Sequence, residues 1–421
     1  MGCRGRRELG VRALWFTNCE LPDTGSAESG HWMSELARAL LSDPKVQLGF
    51  AHYGLGRNVV SRKTEWGPAW TLPISKFGER YAEPTRRQVE SALAVAVQFD
   101  PDVIHIHGTE QNFGWLSTRS GLDVPSVISL QGLTSVCWRH DLGGMSEREA
   151  RRLASPKDRL LREGLVQNQR RRYRESRCET EILARGRAFI GRTRWDRAHL
   201  RARNTGALYF HCDEVMRAPF LKGGRVFRGV RPATVFTCVQ PEPLKGLHVL
   251  LRAMATVRKR FPSATLRVAG RRWGSGWRAR GFENYLNGLL DELDMRRCVE
   301  FLGPLDGEAL AEELKIAAAA AIPSFVDNSS NSLAEAMLMG VPAVASFAGG
   351  MGTAAHDGET AFLCPPGDAE FLAECICEIF ADPGGAELVG ARGRQVALFR
   401  HDPMTIAART LEIYHEVAAA W

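Results

Sequence analysis

Short apolar runs of strand length alternate with amphipathic helical stretches along almost the whole chain. "VRALWFT" is followed by "HWMSELARALLSD", in which Met33, Leu36, Ala37, Leu40 and Leu41 share one helical face. "VQLGFAHY" reads as the next strand, "RRQVESALAVAVQF" as a helix, and "DVIHIHG" and "PSVISLQG" as buried strands. After a basic helical segment come "RAFIGRT" and "ALYFHC". Strands this apolar need cover on both faces, so the alternation predicts parallel sheets flanked by helices. The pattern restarts after "APFLKGGRVFRGVRP" with the strand "ATVFTCV" and the helix "GLHVLLRAMATVRKRF". The strands "TLRVAG", "VEFLG", "AAAAIPS" and "PAVAS" follow, interleaved with the helices "FENYLNGLLDEL", "GEALAEELKIA" and "SLAEAMLMG". From about Ala369 the tail reads as helix. The expectation is an α/β chain of two doubly wound, Rossmann-like domains, residues 1–222 and 223–401, joined near 219–232.

The 421 residues, 44% hydrophobic and 24% charged, suit a globular protein of two or three domains. No apolar run approaches the roughly 18 residues that a membrane span needs. The opening "MGCRGRRELGVRALWFTN" lacks an apolar run followed by a small-residue cleavage site, so no signal peptide is read. Arg6 stands where a myristoylation signal wants Ser or Thr. The ten cysteines are scattered without a CxxC, which predicts buried thiols in a reducing cytoplasm. The net charge of +7 allows an anionic ligand or a membrane surface without requiring either. The densest basic segment is "REARRLASPKDRLLREGLVQNQRRRYRESR", residues 148–177. It reads as a solvated amphipathic helix pair; the sharper alternative is a surface that meets anionic lipid at the inner membrane face, or a polyanionic acceptor. Only Tyr173 could stack on a base there, which argues against nucleic acid.

Ligands of doubly wound sheets sit at the carboxyl ends of strands, where loops enter helices. Three such loops carry chemistry. In "PSFVDNSSNSLAEAMLMGVPAVAS" a helix starts among Ser330, Asn331 and Ser332, with Asp327 before it and Glu335 just inside. Free amides at a helix start suit a phosphate, whereas two acids suit hydroxyls. Diphosphate at the amides and hydroxyls at the acids together describe a nucleotide-sugar; the plain alternative is that both acids only cap and solubilise the helix. In "CVQPEPLKGLHVLL", Lys245 opposes a helix dipole unless an anion sits there, and a surface lysine is the alternative. In "PDTGSAESGHW", Gly25 and Gly30 would let backbone approach a phosphate. Neither GxGxxG nor GxxxxGK[ST] occurs, against nicotinamide or flavin binding and a P-loop. Asp100 and Asp102 in "FDPD" read as a turn rather than a metal site, because they precede a strand at the end away from these loops. His105 and His107 share a strand face without an obvious third ligand, so packing or substrate contact is preferred to metal.

Taken together and in order, these motifs resemble the retaining glycosyltransferases of family 4 (glycosyl transferases group 1), which have the GT-B fold of two Rossmann-like domains with a cleft between them. The resemblance rests on Asp327 and Glu335 eight positions apart, Ala336-Met337 and "GVPAVAS", and on "NSSNSLAEAM", "QPEPLKGLHVLL", "IHIHGTE", "FIGRTRWDRAHL", "YFHCDEVMRAPF" and "FAGGMGTAAHDGETAFLCPPGD". It covers nearly the whole chain and is strongest from 234 to 368. It implies transfer of a sugar, with retained configuration and without a metal or other cofactor, from a nucleotide-diphosphate sugar such as a UDP-sugar to an acceptor hydroxyl. Lys245 would neutralise the diphosphate, Glu335 hold ribose hydroxyls, and Asp327 meet the donor sugar. Amides near Asn331 and Ser332 would contact sugar or diphosphate, Pro304 and Leu305 would bracket the base, and Gly25 would approach the diphosphate from the first domain. His107, Glu110 and Gln131 would face the acceptor, and a final helix of about 402–421 would pack back on the first domain. Where the family commonly has glutamate, arginine and histidine, this chain has Asp327, Gln240 and Gln131. Gln240 would remain on the donor side, with the missing cation supplied by Arg271 or Arg272. The acceptor would be a polysaccharide, a glycolipid or a small metabolite, in the cytoplasm or peripherally at the membrane. A GT-B sugar-nucleotide epimerase or phosphorylase-type enzyme, or a degenerate sugar-binding member, are the alternatives.

Overall fold

The computed structural model describes residues 10–21, 31–119, 123–224 and 229–421. The chain divides into two compact units. One comprises Met1–Ser135, Glu175–Val215 and His401–Trp421, and the other Val136–Arg174 and Met216–Arg400.

The first unit holds the strands β1 (Val11–Thr17), β2 (Val46–Leu55), β3 (Val60–Thr64), β4 (Gly67–Ile74), β5 (Val103–His107), β6 (Ser126–Ser129), β7 (Ala188–Gly191) and β8 (Leu208–His211). They form one sheet in the order β3-β4-β2-β1-β5-β6-β7-β8. From β4 through β8 the pairings are parallel, as the alternating pattern predicts. β3 pairs antiparallel with β4 at the edge and was not legible: its residues are exposed or half-buried, so no apolar run marks it. The helix Arg86–Phe99 begins at Thr85, whose side chain forms a capping box with Gln88. It ends at Asp100 in the left-handed region, φ 51°, and Asp102 Oδ2 then accepts from Arg12 N at 2.8 Å. The "FDPD" acids thus make a turn.

The helix Pro403–Ala420 contributes Ile406, Ile413, Tyr414 and Val417 to the core of this same unit. Tyr414 Oη accepts from Trp15 Nε1 at 3.0 Å and lies 2.7 Å from His105 Nδ1, while His105 Nε2 lies 2.7 Å from Ser129 Oγ. Trp15, His105 and Ser129 belong to the adjacent strands β1, β5 and β6, so one phenol ties the last helix to the middle of the sheet.

The second unit holds β9 (Arg231–Cys238), β10 (Thr265–Ala269), β11 (Val299–Gly303), β12 (Ala317–Ile322), β13 (Ala343–Ser346) and β14 (Phe362–Cys364), in the order β11-β10-β9-β12-β13-β14. All five pairings are parallel. This is the doubly wound arrangement, and its order reverses between β9 and β12.

A boundary at residue 222 places all of 1–222 together; the structure instead places Val136–Arg174 in the second unit. The reason is a set of contacts invisible to local pattern. His248 Nε2 meets Gly143 O at 2.9 Å, and Gly281 N donates to the buried Asp158 Oδ2 at 2.7 Å. A side chain at Gly143, φ 57°, would run into Pro243. The basic stretch is three helices rather than a pair: Glu147–Arg152, Pro156–Leu161 and the start of Leu165–Arg185. Some of its charge is engaged internally, Arg151 with Glu147 at 2.9 Å and Arg172 with Asp141 at 2.8 Å. Among the described residues no helix is long and apolar enough to cross a membrane.

Tyr414→Phe removes the oxygen shared by Trp15 and His105 and leaves two buried groups without it. At ~1–3 kcal/mol for a buried polar group left unsatisfied, we expect a clearly lower urea midpoint for unfolding, with far-UV circular dichroism of the folded variant unchanged.

Candidate active site

The carboxyl ends of β9 and β12 lie side by side, and the loops leaving them carry the acids and the lysine singled out above. After β9, Pro243–Lys245 form one tight turn, and Gly246 begins the helix Leu247–Arg260. Gly246 has φ 73°, and a Cβ there would strike the carbonyl of Pro323 in the loop after β12. Only glycine permits this approach, which holds the two loops together. Lys245 Nζ reaches Asp327 Oδ2 at 2.9 Å. Burial lowers the ammonium pKa, but the charge of Asp327, with that of Glu242, outweighs it and the net shift is upward. Lys245 is therefore a cation at neutral pH.

Asp327 is fixed through its backbone: its carbonyl accepts from Gly350 N at 2.8 Å, and Gly349, φ 59°, leaves no room for a side chain against it. The helix Asn331–Leu338 starts at Ser330, whose side chain accepts from Leu333 N at 3.3 Å. Asn331 is exposed at its start, and Ser332 Oγ meets Cys238 O of β9 at 3.4 Å. Glu335, on the second turn, is buried. Desolvation raises its pKa, and the guanidinium of Arg217, which pairs with its Oε1, opposes that rise without cancelling it.

Gln240 is exposed between β9 and the lysine turn. Pro304 is exposed and Leu305 half-buried just after β11. Arg271 turns to Glu283 at 3.1 Å, and Arg272 stands exposed beside Gly303. The cation that reaches Glu335 is Arg217, for which no role was read from the sequence. It lies 118 positions away, and no local pattern marks it. Gly25 lies outside the described residues.

The first unit gathers the other three expected residues at the carboxyl ends of β5 and β6. His107 is 1% exposed, and among the described residues neither ring nitrogen has a hydrogen-bond partner. Its ring lies 4.3 Å from that of Trp15 and 3.8 Å from that of His105. Burial, then the neighbouring His105, lowers its pKa well below the ordinary range, so it is neutral. It borders a cavity of about 30 Å³ lined also by Trp32, Gln131 and Arg192, large enough for a water or a hydroxyl. Arg192 Nη2 donates to the carbonyls of Leu130 at 3.0 Å and Gln131 at 2.9 Å, and Nη1 pairs with Glu214. Glu110 accepts from Asn18 Nδ2 at 2.9 Å and Gly132 N at 3.1 Å. Burial raises its pKa against these bonds. A second acid, unforeseen, stands behind it: Glu179, fully buried, accepts from Thr109 Oγ1 at 2.6 Å and Ser135 N at 2.5 Å. Among the described residues no group of three or more His, Cys, Asp or Glu could hold a metal ion.

Residues 231–382 match the family model described as glycosyl transferases group 1. The match contains Lys245, Pro304, Leu305, Asp327 and Glu335. The chain is 30% identical over 186 residues to a glycogen synthase of Mycobacterium tuberculosis, spanning 44% of this chain and 42% of that one. It is 34% identical over 147 residues to a D-inositol 3-phosphate glycosyltransferase of Actinosynnema mirum, 34% of each chain. The aligned stretches thus span less than half the length of these curated relatives. Among solved structures, a sucrose-phosphate synthase from Thermosynechococcus elongatus superposes with a TM-score of 0.74 at 19% identity, over 98% of this chain and 100% of that one. Anabaena HepE in complex with UDP-glucose gives 0.65 at 17% identity, over 96% and 99%. These likenesses establish the fold, the expected GT-B type.

Burial, and then the charge of Glu110, push the Glu179 pKa up to about 7 from 4.5. Between those values the folded chain holds a proton that the unfolded chain has released, so stability falls as pH rises through the window and levels off above it. At ~1.4 kcal/mol per unit the fall attributable to Glu179 is at most about 3 kcal/mol. In Glu179→Gln, urea unfolding at pH 5 and pH 7.5 should differ by less than in the parent.

Proposed function

We propose that the chain is a retaining, metal-independent glycosyltransferase that moves a sugar from a nucleoside-diphosphate sugar to an acceptor hydroxyl. The observation that carries this reading is the Lys245–Asp327 pair at the point where the second sheet reverses its order, beside two helix starts and within the segment that matches the glycosyltransferase model. HepE, solved with UDP-glucose, lends support to a uridine donor.

In this reading the donor's diphosphate takes over Lys245. The pair is half-buried, with 32% and 22% of the side chains exposed, and stands between a surface pair, worth about 0–1 kcal/mol, and a sealed one. A ligand with more than one negative charge displaces Asp327 at little cost, and the freed carboxylate accepts from hydroxyls of the donor sugar. Amides at Asn331 and Ser332 and the ends of two helices add to the field on the phosphates. Glu335 accepts from the ribose, and Pro304 and Leu305 flank the base. The bond from the sugar's anomeric carbon to the phosphate oxygen breaks, and its electron pair stays on the phosphate. The acceptor oxygen bonds to the same face of that carbon and its proton passes to the departing phosphate. Positive charge fixed in advance near the growing anion lowers this barrier without a metal. Asp327 and Glu335 are accordingly not an acid and a nucleophile of the glycosidase kind. His107, Glu110 and Gln131 serve the acceptor, a carbohydrate, a glycolipid or a small metabolite. Peripheral membrane contact through 148–177 belongs to the same proposal.

A thermal-shift screen of nucleoside diphosphates and their sugars identifies the donor, because a ligand of the folded state raises the melting temperature by mass action. With that donor, Lys245→Ala should lower turnover at least ~100-fold, the scale of losing one preorganised donor to a developing oxyanion. Near-parental turnover would remove Lys245 from this role.

A further inference from the structure

We infer that Arg217 is a positioning residue of the donor site: it holds Glu335 ionised and aimed so that its carboxylate selects ligands carrying ribose hydroxyls. The inference rests on the nucleotide-sugar reading given above and adds a residue and a selectivity to it.

Glu335 has 8% of its side chain exposed. A carboxyl in such a place tends to keep its proton, and a neutral acid presents a donor where a hydroxyl also needs acceptors. Arg217 Nη2 meets Oε1 and supplies the compensating charge. That bond leaves the remaining acceptor capacity of the carboxylate to a ligand, and bonds from a diol to an ionised acid are among the stronger hydrogen bonds.

Arg217 is itself held on several sides. Its guanidinium carbon stands 4.9 Å over the ring of Phe220, which is fully buried. Its Nη1 would be 3.6 Å from a Cβ on Gly307, the first residue of the helix Gly307–Ile316. That helix opens directly after Pro304 and Leu305. One side chain thus borders both the acid assigned to the ribose and the turn assigned to the base. Gln240 brings no charge, and Arg271 is drawn to Glu283. Arg217 is thus a cation at the ribose end of the donor and not at its phosphates.

The test is calorimetric titration with UDP, ADP and GDP and with their 2′,3′-dideoxy counterparts, on the parent chain and on R217K, R217Q, R217M and E335A. The parent should prefer the ribose form of its nucleotide by about tenfold or more, the scale of bonds to a charged group. E335A sets the floor at which this preference is lost. R217M and R217Q should fall to within about twofold of that floor, and R217K, which keeps the charge, should retain most of the preference. Lys245 is intact throughout, so affinity for the dideoxy forms should change little. Parental discrimination in R217M or R217Q would overturn the inference while leaving the donor reading standing. A parent chain that binds none of the nucleotides, or shows no preference for ribose, would overturn the donor reading itself and this inference with it. Should R217M melt early, R217Q and R217K carry the same comparison.

Discussion

The adjacency of β9 and β12 governs the second unit. Strand order runs outward from β9 through β10 and β11 in one direction, and from β12 through β13 and β14 in the other. Loops leaving β9 and β12 therefore turn to opposite faces of the sheet and open a crevice at their shared carboxyl edge. Gly246 lets the two loops touch at Pro323, and Gly349 lets a third loop, after β13, close on Asp327. A lysine and an aspartate that are 82 positions apart in the chain become partners through strand order and these close loop contacts.

The charges of this crevice come in pairs. Lys245 faces Asp327, and Arg217 faces Glu335. At Glu335 the pairing works against the neutralising effect of burial, and in both pairs it fixes the orientation of the acid. The two pairs differ in depth. The outer one is half-buried and more open to solvent, whereas the inner one is more enclosed and suited to hold a carboxylate in place.

The elements were legible where the signal was local. The helix Arg86–Phe99 and the strand Val11–Thr17 fall where periodicity placed them, and Ser330 caps its helix as its residue type suggests. Asp327, Glu335 and Lys245 stood out because each flanks a helix start. What escaped was determined by distance along the chain. Arg217 sits in a quoted motif, yet its partner is on another element. Glu179 looks like one more acid in a basic helix, and its burial depends on Thr109 and Ser135. β3 has no apolar face to betray it, and Val136–Arg174 joins the second unit through a histidine–carbonyl contact and an aspartate at a helix start.

Membership in the two units changes at 135/136, 174/175, 215/216 and 400/401. The polypeptide is thus woven, not simply concatenated, and the helix Leu165–Arg185 gives residues to both halves. A ribosome that has just finished the first sheet has not yet made the helix bearing Tyr414, which completes that sheet's core. Neither half is one continuous stretch: the first sheet's core is complete only once synthesis has reached Tyr414, and the second unit draws on 136–174, made before its own strands.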